Sequence, residues 1–246
     1  MFHFKRFDLS HERCTLKIGT DAVLLATLTQ APPALNILDI GCGCGVIAFC
    51  IAQQLVDRQT IPKIIGIDVD SDSIIEAQEN AQQFPLLPLH CFRFEKISLQ
   101  EFANQCDATK FDLIVSNPPF FHNNLKPKEK GRLQSRHGDG QLSFDDLVDG
   151  VDKLLSPNGR FALILPPAEM EEFHALTVGK WHVRKSVFIR PTAAKPVSRI
   201  VREYGRSPQM ETKMTLAIRD AKSQYTPDYL KLVKNYLTLN KTISPS

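Results

Sequence analysis

The stretch that decides the fold is Asp39-Ile40-Gly41-Cys42-Gly43-Cys44-Gly45. It ends an apolar run, residues 34–40, that is typical of a strand, and it opens residues 45–56, which have the pattern of a helix. Glycines at such a turn let the backbone reverse sharply and approach a ligand closely. Ligands of open α/β sheets bind at the carboxyl ends of the strands. We therefore expect a binding loop at this position.

The same strand–helix rhythm continues outward from the loop. Short apolar runs without polar alternation are typical of strands buried on both faces, and their alternation with helices predicts a doubly wound, mostly parallel α/β sheet. After residue 166 we expect a helix at 168–178, two longer strands at 181–190 and 212–219 that pair antiparallel, and a last helix at 227–239. The runs before that point predict strands at 63–68, 90–95, 111–116 and 159–165, and helices at 71–83 and 143–155.

Composition excludes several classes of protein. Hydrophobic residues make up 43% and charged residues 23% of the 246, which excludes general disorder. No run approaches the ~20 apolar residues of a membrane helix, and the charged N-terminus is unlike a signal peptide, so we expect a cytoplasmic protein. The six cysteines show no CxxC spacing and the seven histidines no metal-binding spacing. We therefore expect no metal, and cysteines that serve as small buried apolar groups.

An acidic residue follows the glycine loop at the end of the next predicted strand. Asp68 ends the next predicted strand, 23 residues beyond Gly45. A carboxylate at that place can accept both ribose hydroxyls of a nucleoside. Together, the loop and Asp68 predict a cofactor that contains adenosine.

A third motif, Ser116-Asn117-Pro118-Pro119-Phe120, ends the strand 111–116. Two successive prolines fix the backbone and remove N–H donors. The Asn117 side-chain oxygen and the Pro118 carbonyl remain as acceptors, and a planar NH2 group offers two donors to match them. Phe120 can stack on the plane that carries such an amine. The motif therefore predicts an amine acceptor.

With DIGCGCG, Asp68 and NPPF, the chain resembles the class I S-adenosylmethionine-dependent methyltransferases that methylate amines. The KIGTDAVLL segment, residues 17–25, and RH followed by LSFDDL near residue 140 resemble the bacterial tRNA(Val) adenine N6-methyltransferases, which modify the adenine 3′ of the anticodon. This resemblance implies a seven-stranded Rossmann-like sheet with one antiparallel strand. It also implies one methyltransferase domain over 1–246, with a cofactor-covering segment at 1–30, a core at 34–165 and a C-terminal part with a basic hairpin at 166–246.

The resemblance assigns roles to residues of this sequence. Ser98 occupies the place where many relatives have an Asp that holds the cofactor's adenine, and Asp39 either faces the methionine end of S-adenosylmethionine or caps the glycine loop. The acceptor amine would be held by Asn117, Pro118, Pro119 and Phe120. The cofactor would be held by Thr20, Asp21, Asp39, Gly41, Gly43, Gly45, Asp68, Ser98 and Asn117.

Charge is unevenly distributed along a chain with a net charge of only +3. Residues 180–206 hold eight basic side chains against one acidic, and residues 124–140 five against two. Such clusters suit a polyanion, although a solvated basic face explains them equally well. We expect a monomer that does not bind a membrane. We expect it to bind tRNA through Arg136, Arg190, Lys195, Arg199 and Arg202. Methylation of a protein glutamine amide, which uses the same motif, and a non-catalytic RNA-binding module stay open as alternatives.

Overall fold

The computed structural model of the protein describes residues 1–31, 36–106, 110–118 and 142–238. Its helices are Thr20–Leu28, Val46–Val56, Ser71–Gln83, Leu99–Gln105, Phe144–Leu154, Pro167–Thr177 and Pro227–Val233, with a 3-10 turn at Leu89–Cys91. The strands are β1 (Phe2–His3), β2 (Asp8–Leu9), β3 (Asn36–Ile40), β4 (Lys63–Asp68), β5 (Phe92–Lys96), β6 (Phe111–Ser116), β7 (Leu155–Leu165), β8 (His182–Thr192), β9 (Arg199–Gly205) and β10 (Thr212–Arg219).

Eight of these strands form one sheet in the order β10-β8-β9-β7-β6-β3-β4-β5, and β1 and β2 form a small antiparallel pair. Strand β9 runs antiparallel to both of its neighbours, and the remaining pairs of the sheet are parallel. The doubly wound α/β class with one antiparallel strand is therefore confirmed. The expected number of seven strands is wrong, because β10 adds an eighth strand outside β8.

The antiparallel pair expected from the last two long strands is also wrong. β8 and β10 pair in parallel, with Met214 opposite Val187. The basic segment between them contains β9, which reverses the chain once, and the return from β9 to β10 reverses it again. A second reversal restores the direction of β8, so no long crossover helix is needed.

The sheet separates two apolar cores. Along β6, Leu113 and Val115 belong to one core and Ile114 to the other, as the two-residue period of a strand requires. The first core is covered by the helices Thr20–Leu28, Val46–Val56, Ser71–Gln83 and Pro227–Val233, and the second by Leu99–Gln105, Phe144–Leu154 and Pro167–Thr177. Both faces are thus buried, which explains the continuous apolar runs of the central strands.

One edge of the sheet collects the residues expected to have functions. The parallel strands all end there, so the glycine loop after β3, Asp68 at the end of β4 and Asn117 after β6 share this edge. Arg199 lies at the same edge because it begins the antiparallel strand β9. We call this the carboxyl edge. Within the described ranges, no helix combines the length and the apolar character needed to cross a membrane.

Candidate active site

The glycine loop has the backbone conformation that its sequence predicts. Gly41, Gly43 and Gly45 all have positive φ angles, of 68°, 53° and 87°. A Cβ atom built on Gly41 or Gly43 would meet no atom of the described residues within 4 Å, whereas one on Gly45 would lie 2.7 Å from the Phe49 ring. The first two glycines therefore border open space, and the third is needed for close packing against the following helix.

Asp68 fixes this loop from the neighbouring strand. Its Oδ2 accepts a hydrogen bond of 2.9 Å from the Gly43 N–H, and its Oδ1 accepts one of 3.0 Å from the Asp70 N–H. A carboxylate offers about four lone-pair positions, and these contacts use two. The side chain is half-buried beside the open space bordered by Gly43, so it can accept further hydrogen bonds from a ligand there.

Asp39 lies beneath the loop and is fully buried. One carboxylate oxygen accepts a hydrogen bond of 3.2 Å from the Ala48 N–H in the first turn of the helix, and the other has no partner among the described residues. Burial raises the pKa of this carboxyl to about 7, although the Ala48 N–H opposes the shift. Asp39 thus caps the helix, and it retains an unpaired acceptor.

The acceptor motif lies next to the loop because β6 and β3 are neighbours. Ser116 is opposite Ile40, and its hydroxyl donates a hydrogen bond of 3.0 Å to the Ile40 carbonyl. The next residue, Asn117, has a side-chain oxygen that is shielded from solvent and has no hydrogen-bond partner among the described residues. A buried unpaired amide oxygen is costly unless a ligand satisfies it. Pro118 is buried beside it, whereas Pro119 and Phe120 lie outside the described residues.

Ser98 has a structural role that the sequence reasoning missed. It is the N-cap of the helix Leu99–Gln105, where its hydroxyl accepts from the Glu101 N–H and donates to the Glu101 carboxylate at 2.7 Å. The signal was present in the sequence, because Ser-x-x-Glu is a capping box. The hydroxyl expected to hold the cofactor's adenine therefore already has two partners.

Glu76 and Asn80, which the sequence analysis did not single out, attach the N-terminal segment to the site. The buried Glu76 carboxylate accepts hydrogen bonds from the Ser10 hydroxyl at 2.6 Å and from successive backbone N–H groups, including that of Cys14 at 3.0 Å. Burial opposes ionisation, but the hydrogen bonds from Ser10 and Cys14 outweigh it and lower the pKa of Glu76 to about 2. We call these contacts of Glu76 and Asn80 with residues 10–14 the N-terminal clasp.

Asn80 extends the clasp to the glycine loop. Its side chain accepts from the Ser10 N–H at 2.8 Å and donates to the Ser10 carbonyl and to the Cys44 carbonyl, at 2.9 and 3.0 Å. One amide group therefore joins the N-terminal segment, the helix Ser71–Gln83 and the loop. Glu and Asn four residues apart lie on one helix face, which is the sequence signal that could have identified the pair.

Thr20 and Asp21 begin the first helix at the carboxyl edge. Asp21 accepts a hydrogen bond of 2.8 Å from Arg199, and Thr20 lines a cavity together with Pro191 and Tyr225. Two residues expected to hold the cofactor therefore lie beside the end of β8 and the start of β9, where the basic residues are concentrated.

The basic residues expected to contact RNA divide into two groups. Lys195 is exposed in the β8–β9 connection, and Arg190, near the end of β8, donates to the Lys195 carbonyl at 3.0 Å. Arg202 is only 6% exposed, and it donates to Glu171 at 3.0 Å and to Ser186 at 3.1 Å. Arg202 therefore stabilises the packing of β9 and offers no surface to a phosphate. Arg136 lies outside the described residues.

The cysteines and metal-binding side chains add no chemistry to this edge. Five of the six cysteines are buried, and burial together with the nearby Asp39 and Asp68 raises the pKa of the Cys42 thiol, which therefore stays protonated. The described part of the chain contains no group of three or more His, Cys, Asp or Glu side chains placed to hold a metal ion.

Comparisons with known proteins agree on a family. A family model described as a methyltransferase domain matches residues 32–190. The chain is 36% identical over 237 residues to a tRNA1(Val) (adenine(37)-N6)-methyltransferase of Trichodesmium erythraeum, covering 96% of each chain. It is 34% identical to the protein of the same name from Proteus mirabilis, covering 96% of this chain and 92% of the relative.

Solved structures are similar in fold. A predicted O-methyltransferase from Agrobacterium tumefaciens superposes with a TM-score of 0.66 at 16% identity, covering 88% of this chain and 96% of that one. At this level of identity the match supports the architecture alone.

Proposed function

The chain belongs to the family of tRNA1(Val) (adenine(37)-N6)-methyltransferases, and we propose that it transfers a methyl group from S-adenosylmethionine to the N6 amine of adenine 37 in tRNA(Val). The observation that carries this proposal is the buried side-chain oxygen of Asn117, one residue beyond the strand that adjoins the glycine loop, which has no hydrogen-bond partner in the part of the chain that the structure describes. An amine donor that enters this site would satisfy an atom to which none of the described residues donates.

The residues around the loop fit S-adenosylmethionine. Gly41 and Gly43 border open space that any larger residue at these positions would fill with its side chain. The half-buried Asp68 has lone pairs to accept hydrogen bonds from the ribose hydroxyls. The unpaired oxygen of Asp39 is an acceptor for the donors at the amino-acid end. When bound, the cofactor supplies an electrophilic methyl group on its sulfonium.

The protein's contribution is to hold and orient the amine. Asn117 and the Pro118 carbonyl each accept one N–H of the N6 group, so the nitrogen lone pair points away from both acceptors. Phe120 lies outside the described residues, and its place in the sequence motif suits a ring that would stack on the adenine. Positioning of this kind contributes a large part of catalysis when the leaving group is already activated. The amine loses its proton after transfer, so no strong general base is required.

The carboxyl edge also fits an RNA substrate. Arg190, Lys195 and Arg199 lie there, on the same edge as Asn117. Positive charge next to the reacting base is what an approaching phosphate backbone requires. An adenine in an anticodon loop can be splayed from its neighbours into such a site. Modification of tRNA also implies a cytoplasmic enzyme.

The test is methylation of unmodified tRNA with labelled S-adenosylmethionine, followed by digestion to nucleosides. We expect the label in N6-methyladenosine, and at least a ~100-fold loss of rate in Asn117→Ala with cofactor affinity nearly intact. The control variant is Asn104→Ala, an exposed position on the helix Leu99–Gln105.

The outcomes distinguish the alternatives. Label in protein glutamine instead of RNA identifies the amide-methylating enzyme, and label in neither with intact tRNA binding identifies an RNA-binding module. Activity of Asn117→Ala within a few-fold of wild type refutes the role of the acceptor motif. A methylated adenine at another position, or in another tRNA, retains the chemistry and changes the target.

A further inference from the structure

A cavity of about 230 Å³ opens at the carboxyl edge, away from the glycine loop. It is lined by Thr20, Pro191, Ile218, Arg219, Tyr225 and Tyr229. Arg219 ends β10 and Pro191 lies near the end of β8, so the cavity lies at the open end of the sheet. Sites for drug-sized ligands occupy about 300–1,000 Å³, so this cavity suits a smaller group, such as one heterocyclic base.

The wall of the cavity is a column of planar groups. The guanidinium of Arg219 lies 4.1 Å from the centre of the Tyr225 ring, and the Tyr225 and Tyr229 rings are stacked with centres 5.1 Å apart. A hydrogen bond of 2.6 Å from Arg219 to the Ser223 carbonyl holds the guanidinium in place. Aromatic rings and guanidinium planes are the surfaces on which unpaired RNA bases stack.

The charge of this wall also suits RNA. None of the ion pairs within the described ranges uses Arg219, so no described carboxylate is bound directly to its guanidinium. Thr20 adjoins Asp21, which binds Arg199, so the cavity continues the basic end of β8 and β9. A phosphate that follows this edge would bring its base to the Arg219–Tyr225 column.

The cavity is too far from the acceptor motif to receive the reacting adenine. Four strand spacings separate β10 from β6, which amounts to about 19 Å. Stacked nucleotides rise about 3.4 Å each, so this distance corresponds to a nucleotide within about six positions of the acceptor.

We propose that this cavity is a subsite for the base of a nucleotide that flanks the methylated adenine, held by stacking on the guanidinium plane of Arg219, which the Tyr225 ring supports from its other side. The inference rests on the proposed function, because it takes tRNA as the substrate. It adds a residue-level determinant of tRNA choice that is separate from the acceptor motif.

The experiment uses full-length tRNA that carries a single abasic nucleotide, placed in turn at each of the six positions on either side of the acceptor. For wild type, we expect one position to raise the KM for tRNA about tenfold, the lower part of the range for base stacking, with kcat unchanged. The double variant Arg219→Gln/Tyr225→Leu should show that tenfold increase with intact tRNA and no further increase with the abasic one.

Three further variants separate stacking from charge and from folding. Arg219→Lys keeps the charge and loses the plane, so it should also become insensitive to the abasic position. Tyr225→Phe keeps the ring beneath Arg219 and should keep the abasic effect. Lys213→Gln, an exposed residue at the other end of β10, should retain the full abasic effect. Cofactor affinity and melting temperature report on folding, and if the double variant unfolds, Arg219→Lys carries the test.

The results separate the subsite from the function. Suppose that wild type methylates tRNA, but that the abasic nucleotide and the double substitution raise the KM additively at every position. The subsite is then refuted and the proposed function stands. If Arg219→Lys responds to the abasic series as wild type does, the cavity is a phosphate contact and base stacking is refuted. If wild type methylates no tRNA, the proposed function and the subsite are both refuted.

Discussion

Replacing Gly43 with alanine should impair cofactor binding without much damage to the fold. Gly43 has a φ of 53°, and an added Cβ would have no neighbour within 4 Å in the described part of the chain. The cost in the protein is therefore only the left-handed backbone, about 1–2 kcal/mol. For a chain of this length that corresponds to a decrease of about 2–8 °C in melting temperature. The methyl group would, however, occupy the open space assigned to S-adenosylmethionine, and we expect affinity to fall by at least ~10-fold.

Two other glycines provide matched controls. Gly179 has a φ of 80° and also leaves a Cβ in open space, but it lies in the turn after the helix Pro167–Thr177. Gly179→Ala should show the same thermal shift with unchanged cofactor affinity. Gly45→Ala adds a contact of 2.7 Å with the buried Phe49 ring, so its total cost should be about 2–5 kcal/mol.

The assay is calorimetric titration with S-adenosylmethionine, paired with thermal unfolding of the same preparations. Equal affinities for Gly43→Ala and Gly179→Ala would refute the reasoning, because they would show that the open space at Gly43 is not where the cofactor binds. An equal thermal shift for Gly45→Ala and Gly43→Ala would refute the packing role given to Gly45.

Three more outcomes follow from individual contacts. Asp68→Ala should weaken S-adenosylmethionine binding about tenfold or more in the same titration, because a charge-assisted acceptor of the ribose is lost. Glu76→Gln should lower the free energy of unfolding by about 3 kcal/mol at neutral pH, and Glu79→Gln by under 1 kcal/mol. Because the pKa of Glu76 in the folded protein is depressed to about 2, its contribution to stability is complete above pH ~4.5 and should disappear as the pH falls towards 2. Denaturant titrations would contradict this if wild type and Glu76→Gln differed in stability at pH 2 as much as at neutral pH. Arg199→Gln should flatten the salt dependence of tRNA binding by about one phosphate contact, whereas Arg202→Gln should lower the melting temperature and leave the slope unchanged in filter binding.

Patterns of apolar residues predicted most of the sheet. The bounds of β4, β6 and β10 coincide with the predicted 63–68, 111–116 and 212–219, because each run is bounded by polar, glycine or proline residues. Strand β9 was missed because its middle, Arg202-Glu203, reads as a surface segment. Both side chains are in fact buried, and the Glu203 carboxylate lies 3.7 Å from Lys185 and 3.8 Å from Arg160. The polarity of individual residues cannot reveal that Arg202 and Glu203 are paired with opposite charges elsewhere in the chain.

The candidate site shows the same division. The positions of Gly43, Asp68 and Asn117 followed from local motifs, since each motif sits at a strand end and the parallel sheet brings strand ends together. The burial of Arg202 could not be predicted from the number of charges in the segment. Such a count does not show that this side chain packs inside the protein and binds Glu171 of another element. The role of Glu76 depends on donors more than 60 residues away, and no local pattern contains that information.

Through the N-terminal clasp, residues near the start of the chain supply hydrogen-bond partners to the buried side chains Glu76 and Asn80. Removing residues 1–14 would strip the Glu76 carboxylate of the Ser10 hydroxyl and of the backbone N–H groups that now surround it. The loss would also remove the hydrogen bonds of Asn80 to Ser10 and leave its bond to the Cys44 carbonyl of the glycine loop. A shortened recombinant form would therefore have a loosened cofactor loop, whereas a fusion attached before the exposed Met1 leaves these bonds intact.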